Sequence, residues 1–367
     1  MKFICSRDRL IEIVSIVQKA VSTRSTLPIL DGILIDTNSE GVRLTGYDLE
    51  TGIEAQMEAE VFSDGQVVVN SRLFGEIIRK LPDEQVQIES NDQLQISIES
   101  GSSLFSIKGL SAESYPKIPV VVDEESISIS QKLLRDMIRQ TIFAVSTDES
   151  RPTLNGCLLA CDGFAVEMVA VDGFRLALRK RLLGTDLPKM NYIIPGKALN
   201  EVGRVLTSKE DDVVIFSSSN HIMFDMGAIR IVSRLIQGNF MNYRAILPQT
   251  SSTTLVVSST DVLDAIERAS LIILSEDRRC PVQFSMPADD TLVISAQTEI
   301  GTLREEITVA ITGEKIDIDF NPRYFIDALR AIDSEEISII FNGSVGPSVV
   351  KPLEGEDFAY LILPLRR

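Results

Sequence analysis

The chain has 367 residues, 44% hydrophobic and 24% charged, ordinary globular proportions and enough length for two to four domains. Trp is absent and aromatics make up only 6%, so the core must rest on Ile, Leu and Val, a bias toward strands. The net charge of −17 argues against a general nucleic-acid binder and leaves only a minority face for such contact.

The opening MKFICSRDRL lacks the apolar core of a signal peptide, and no run of about 18 apolar residues follows. A cytoplasmic chain without a membrane span is expected. Residues 7–20 predict an amphipathic helix through Leu10 and Ile13, and GVRLTGYDLE (41–50) predicts a strand. Asp64-Gly65 suits a hairpin turn. VVVNSRLFGEIIRKL (67–81) reads as a strand entering a helix whose apolar face is Phe74, Ile77, Ile78 and Leu81. Residues 85–100 read as strands about an Asn-Asp turn, and SAESYPKIPV (111–120) marks a boundary with Pro in extended chain.

QKLLRDMIRQTIFA (131–144) repeats the first helix through Leu134 and Met137. Cys157 and Cys161 share one strand face by their even spacing, and Asp162-Gly163 suits another hairpin turn. YIIPGKALNEVGRVL (192–206) repeats the strand-to-helix junction, with Leu199, Val202 and Leu206 inward. NYRAILPQT (242–250) marks the second boundary. TDVLDAIERASLII (260–273) aligns with the first helix through Leu263 and Ile266. TLVISAQTEI (291–300) is a strand, and DIDFNPRYFIDALRAI (317–332) is the third junction, with Phe325, Ala328, Leu329 and Ile332 inward.

These copies are in register. Arg72, Lys197 and Arg323 stand 125 and 126 residues apart. Seven residues on come Arg79, Arg204 and Arg330, and four residues on come Glu76, Glu201 and Asp327. Two helical turns separate the basic residues, so each trio shares one stripe. In the middle copy Lys132, Arg135 and Arg139 fall within about 60° around the helix. Five of the six helical segments are net positive on an acidic chain, 260–269 being the exception. Two readings remain open: an intrahelical ion-pair ladder, or a concave surface for phosphates that permits sliding. The repeat predicts an α+β protein of three like domains, 1–122, 123–246 and 247–367, each with two helices and antiparallel strands.

Chemistry of other kinds finds little support. Cys5, Cys157, Cys161 and Cys280 form no CxxC pair, His221 is the single histidine, and the cysteines read as buried hydrophobes. Asp211-Asp212 and Asp289-Asp290 read as turns, and no phosphate loop or GxSxG occurs. No catalytic residue, metal or cofactor is expected. A repeat-built acidic protein-interaction scaffold that never encircles DNA is the alternative.

Several stretches, in order and spacing, are similar to the sliding clamp family, the β subunit of bacterial replicative DNA polymerases. They are MKF, STLPILDGILI (25–35), LTGYDLE (44–50), LNG (154–156), VDGFRLAL (171–178), NYRAILP (242–248) and AYLILPLR (359–366). The resemblance spans essentially the whole chain. It implies the DNA clamp fold, with antiparallel sheets outside and helices lining the inner face of a ring closed by a homodimer. It also implies a non-enzymatic processivity factor on duplex DNA without sequence specificity, and no cofactor. Partners would be the replicative polymerase's catalytic subunit, the clamp loader, and repair and translesion polymerases through short peptides.

By the same resemblance Arg24 joins the derived DNA-facing residues, although on the residues alone it reads as a solvated loop arginine. The implied peptide cleft takes Leu154, Val171, Gly173, Phe174, Arg175, Leu176, Met241, Ile246, Asn321, Tyr324, Val345 and Pro347. It continues through Leu361, Ile362, Leu363, Pro364, Leu365 and Arg366, a segment that on its own reads equally as a terminal core strand. Phe174 stands where the family often has His and Met241 where Pro is usual. Ala245 and Arg279 replace an Arg and an aromatic. The implied dimer contact joins Phe105 and Ile107 to Ile273 and Leu274.

Overall fold

A computed structural model describes residues 1–22, 27–121, 125–208, 210–273 and 280–365. The first third contains β1 (Lys2–Ser6), α1 (Arg7–Val17), β2 (Gly32–Asn38), β3 (Gly41–Tyr47), β4 (Thr51–Met57) and β5 (Glu60–Ser63). It continues through β6 (Gly65–Asn70), α2 (Ser71–Lys80), β7 (Gln85–Ser90), β8 (Gln95–Ser100) and β9 (Ser103–Lys108). The middle third contains β10 (Glu125–Ser130), α3 (Gln131–Arg139), the long strands β11 (Gly156–Val171) and β12 (Arg175–Pro195), and α4 (Gly196–Val205). It ends with β13 (Asp212–Ser217), β14 (His221–Asp225) and β15 (Ile229–Arg234). The last third contains β16 (Thr253–Ser258), α5 (Ser259–Ser270), β17 (Val282–Ala288), β18 (Thr291–Thr298), β19 (Gly301–Thr308) and β20 (Ala310–Gly313). It closes with β21 (Asp317–Phe320), α6 (Pro322–Arg330), β22 (Glu336–Phe341), β23 (Ser348–Pro352) and β24 (Phe358–Ile362).

By its internal packing the chain divides into two compact units. One is Met1–Lys132 with Arg204–Leu235; the other is Leu133–Gly203 with Ile236–Arg367. Strand pairing explains this division, because the middle third gives its strands to both neighbours. In the first unit β15 pairs antiparallel with β4, Ile231 facing Ile53, and an eight-stranded sheet results. Its order is β10-β13-β14-β15-β4-β3-β2-β6, beside a five-stranded sheet β5-β1-β7-β8-β9. In the second unit β12 pairs with β24, Ala177 facing Tyr360. That seam builds a seven-stranded sheet β11-β12-β24-β23-β22-β16-β20, beside a four-stranded sheet β19-β18-β17-β21.

The helices form as their periodicity requires, with apolar faces inward. Leu10, Ile13, Val14 and Val17 are buried on α1, and Phe74, Ile77 and Ile78 on α2. Leu134, Met137 and Ile138 are buried on α3, Leu199, Val202 and Leu206 on α4 and beyond, and Phe325, Ala328 and Leu329 on α6. Ile332, expected inward, is only half-buried. α1 packs on α2, and α5 packs on α6. The Asn70 side chain caps α2 by accepting from Leu73 N at 2.9 Å, and Asn321 caps α6 by accepting from Arg323 N at 3.0 Å. Gly46 is required by close approach: a Cβ there would lie 2.4 Å from the Val17 carbonyl oxygen, where α1 ends on β3.

Three local expectations are corrected. Asp64-Gly65 is not a hairpin turn, since β5 pairs with β1 and β6 with β2, so the dipeptide carries the chain between sheets. Asp162-Gly163 is a bulge inside β11, where the register against β12 shifts on both sides of Gly163 at φ 60°. The third copy of the first helix is displaced by one residue: α5 buries Val262, Ala265, Ile266 and Ala269, while Leu263 is only half-buried. Leu263 attracts an alignment by hydrophobicity, but the Ser258 cap fixes the start of α5 and so decides which side turns inward.

Candidate functional site

The basic helix residues sit on exposed faces, and their local partners differ. On α2 the Arg72 side chain is 88% exposed and its Nε lies 3.0 Å from Glu76 Oε1, the ladder spacing. Arg79 reaches across to Gln18 Oε1 at 3.4 Å. Lys132 pairs with Glu210 at 3.2 Å, and Arg135 is exposed. Arg139 donates to the Ala331 carbonyl at 3.1 Å and to Asp333 at 2.5 Å, which ties α3 to the C-terminal end of α6. Lys197, Glu201 and Arg204 on α4 are all engaged within the chain, the two cations still exposed. Arg330 pairs with Glu267 of α5 at 2.8 Å. Arg323 is exposed, and its expected ladder partner Asp327 points elsewhere. Exposed pairs of this kind contribute little, about 0–1 kcal/mol each, and yield readily to phosphate.

Asp327 instead belongs to an apolar site in the second unit. Arg175, whose side chain is only 10% exposed, donates to Asp327 Oδ2 at 2.6 Å, Asp172 Oδ2 at 2.9 Å and the Phe143 carbonyl at 2.6 Å. Its guanidinium also lies 4.7 Å from the Tyr324 ring centroid. Phe174, 59% exposed, stacks on Tyr324 at 6.2 Å. The turn that presents Phe174 is built by Asp172 Oδ1, which accepts from Phe174 N and Arg175 N, and by Gly173 at φ 95°. On the other face of this seam Leu154, Val171, Leu176 and Leu361 share one apolar cluster with Tyr243, Val349 and Ala359.

The chain end closes over this region. Leu363 N donates to the Phe174 carbonyl at 2.9 Å and Leu365 N to the Asp319 carbonyl at 2.8 Å, on either side of Pro364, after Ile362 ends β24. Val345 is 77% exposed, and Met241, Ile246 and Leu363 are also exposed, while Pro347 is half-buried. A cavity of ≈ 450 Å³ is lined by Val345, Pro364 and Leu365 with Gln283, Asp317, Ile318, Asp319 and Ser344. Exposed apolar side chains such as Val345 at an opening of this kind suit a short hydrophobic peptide.

At the other named surface, Phe105 is exposed and Ile107 half-buried on β9, which pairs with β8 alone and so leaves one edge open among the described residues. Ile273 is half-buried at the end of the α5 region. Arg24, Leu274, Arg279 and Arg366 lie outside the described residues. Cys5, Cys157 and Cys161 are buried, and burial pushes their thiols up to about 12, 12 and 11. His221 is lowered from 6.5 by burial and by nearby Arg234. Among the described residues no three His, Cys, Asp or Glu side chains gather as metal ligands, and no helix is long and apolar enough to cross a membrane.

Known proteins decide the family. The chain matches the DNA polymerase III beta subunit N-terminal domain over residues 1–119, the central domain over 128–242 and the C-terminal domain over 244–366. It belongs to the DNA polymerase III beta subunit family. The beta sliding clamp of Bacillus subtilis strain 168 is 38% identical over 379 residues, covering 100% of both chains. That of Staphylococcus epidermidis is 37% identical over 375 residues, covering 100% of this chain and 99% of its own. The solved sliding clamp of Bacillus subtilis superposes with a TM-score of 0.96 at 36% identity, covering 100% of this chain and 99% of that one. A beta subunit structure from Eubacterium rectale gives 0.94 at 35% identity, with the same coverage.

The fold is therefore the three-domain DNA clamp fold, and the chain is a non-catalytic sliding clamp of the replicative polymerase. The scaffold alternative finds no counterpart among these relatives. Within the clamp, Asp172 and Asp327 hold Arg175, although neither was among the expected site residues. Asp172 was legible as the acidic start of the turn VDGF; Asp327 was assigned to the helix ladder, and only the fold brings it to Arg175.

Proposed function

We propose that two copies of this cytoplasmic chain close head to tail into a ring that encircles duplex DNA and tethers the replicative polymerase. The modules are residues 1–122, 123–246 and 247–367. Arg72, Arg79, Lys132, Arg135, Arg139, Lys197, Arg204, Arg323 and Arg330 attract phosphates from the helix faces, joined by Arg24 of the TRSTLPIL segment, all without reading sequence. The remaining surface is acidic enough, at a net −17 overall, to repel the duplex elsewhere. The observation that carries this reading is the recurrence of exposed basic residues at one helix position in all three thirds of a sliding clamp.

The ring closes where β9, with Phe105 and Ile107, meets the Ile273–Leu274 region of a second copy. The open edge of β9 supports this, because an unpaired strand edge carrying apolar side chains invites a partner. Polymerase, clamp loader and repair or translesion polymerases dock short apolar peptides in the cleft around Leu176, Ile246, Tyr324 and Leu361 to Leu365. Primer extension on singly primed circular DNA, with loader and polymerase, tests the assignment. The full chain is expected to give long products, and a chain lacking Leu363–Arg367 short ones. Equal product lengths would remove the cleft from the account.

A further inference from the structure

One buried carboxylate of the second unit bonds to the turn that follows β15. Glu167 lies on β11 and is 7% exposed. Its cross-strand neighbour on β12 is Lys180, but the Lys180 ammonium turns to Glu356 at 3.5 Å. Glu167 Oε2 instead accepts from the Tyr243 hydroxyl at 2.5 Å and from Arg244 NH2 at 2.6 Å. The Arg244 guanidinium also lies 4.8 Å from the Tyr243 ring centroid. The Tyr243 ring is 4% exposed within the apolar cluster of the cleft floor, and burial followed by the nearby carboxylate raises its hydroxyl's pKa. It therefore stays a donor at working pH.

These bonds fall on a short turn with weak support of its own. Tyr243–Ile246 is a single 3-10 turn without a side-chain cap at Asn242. Its backbone is tied by Tyr243 N to the Met241 carbonyl at 2.8 Å and Ala245 N to the Asn242 carbonyl at 3.2 Å. Met241 precedes the turn and Ile246 ends it, both as exposed apolar side chains, and Leu247 packs on the cluster. A buried carboxylate bonded to both a phenol and a guanidinium is a strong, directional anchor, since charge-assisted bonds exceed neutral ones.

We propose that Glu167 is a positioning residue for partner binding: by holding Tyr243 and Arg244 it fixes the turn that presents Met241 and Ile246 to an apolar peptide. This rests on the cleft reading above and names what sets the shape of one rim. Glu167 acts through the turn and does not touch the peptide itself.

The test uses the full-length protein and a labelled peptide from the C-terminal tail of the replicative polymerase's catalytic subunit. Glu167→Ala is expected to weaken binding about tenfold. Glu167→Gln, whose amide oxygen still accepts from Tyr243, should recover part of that loss. Tyr243→Phe keeps the ring and deletes only the hydroxyl; it should weaken binding about threefold, and it carries the test if Glu167→Ala does not fold. In a Met241→Ala/Ile246→Ala background, removing Glu167 should add less than about twofold, because the effect runs through those two side chains. An unchanged affinity in Glu167→Ala, or a full loss persisting in the truncated-rim background, overturns the proposal. A chain lacking Leu363–Arg367 separates the two readings. If it binds the peptide normally, the cleft reading falls and takes the proposal with it. If it loses the peptide while Glu167→Ala binds normally, only the proposal falls.

Discussion

The two units use one inherited helix pattern in different ways. In the first, the acid four residues after the leading arginine of α2 stays on its own helix, where Glu76 meets Arg72 in solvent. In the second, the corresponding Asp327 of α6 leaves Arg323 and reaches Arg175, whose side chain is almost fully covered. The same spacing thus gives a solvated ion pair in one place and a half-buried anchor for the seam between β12 and β24 in the other. Desolvation decides the difference. A carboxylate facing water adds little to any partner, whereas one closing a triad with Asp172 and the Phe143 carbonyl leaves a covered guanidinium short of a partner when removed.

The broadest way to press this comparison is alkaline pH. Cys157 and Cys161 lie in the second unit and Cys5 in the first, all with folded pKa values raised above the ordinary 9.0. The folded chain therefore keeps protons that the unfolded chain releases. The thiols' contribution to stability is constant below pH 9 and is lost as pH rises toward 11 to 12, by about 1.4 kcal/mol per thiol per pH unit. Hydrogen exchange between pH 9 and 11 should show the second unit opening with the steeper pH dependence; equal slopes would contradict the burial of its two thiols.

Next in size, Asp327→Ala should cost about 2–3 kcal/mol in urea denaturation, less than a wholly stranded buried charge because Asp172 still holds Arg175. Smaller is the effect of reversing Arg72, Lys197 and Arg323 to Glu together. Affinity for duplex DNA should fall about tenfold, with a shallower dependence on salt. Indifference would remove those three residues from the DNA-facing set. The smallest effect belongs to Glu76→Ala, within about 0.5 kcal/mol of the parent. A loss as large as that of Asp327→Ala would erase the contrast between the units.

Periodicity made the helices and the threefold repeat legible, since apolar residues such as Phe74, Leu199 and Phe325 mark inward faces without reference to anything distant. It did not reveal that β15 joins β4 and β12 joins β24, because edge pairing between segments far apart in sequence leaves no local pattern. The two Asp-Gly dipeptides misled for a related reason: turn chemistry states that the chain bends, not whether the strands about Asp64-Gly65 pair or whether Asp162-Gly163 ends a strand or only bulges it. For the proposed cleft, Leu176 and Leu361 come from family resemblance, whereas the bonds of Asp327 to Arg175 and of Glu167 to Tyr243 depend on contacts between elements. Glu167 offered only an isolated acid in a strand, a position that ordinarily faces water.

Release of loaded protein from circular and from linearised DNA of the same sequence probes topological retention most directly. The account predicts long residence on the circle and rapid loss from free ends once the DNA is cut. Equal residence on both forms would mean that the chain holds DNA by surface attraction alone, and the ring would have to be abandoned.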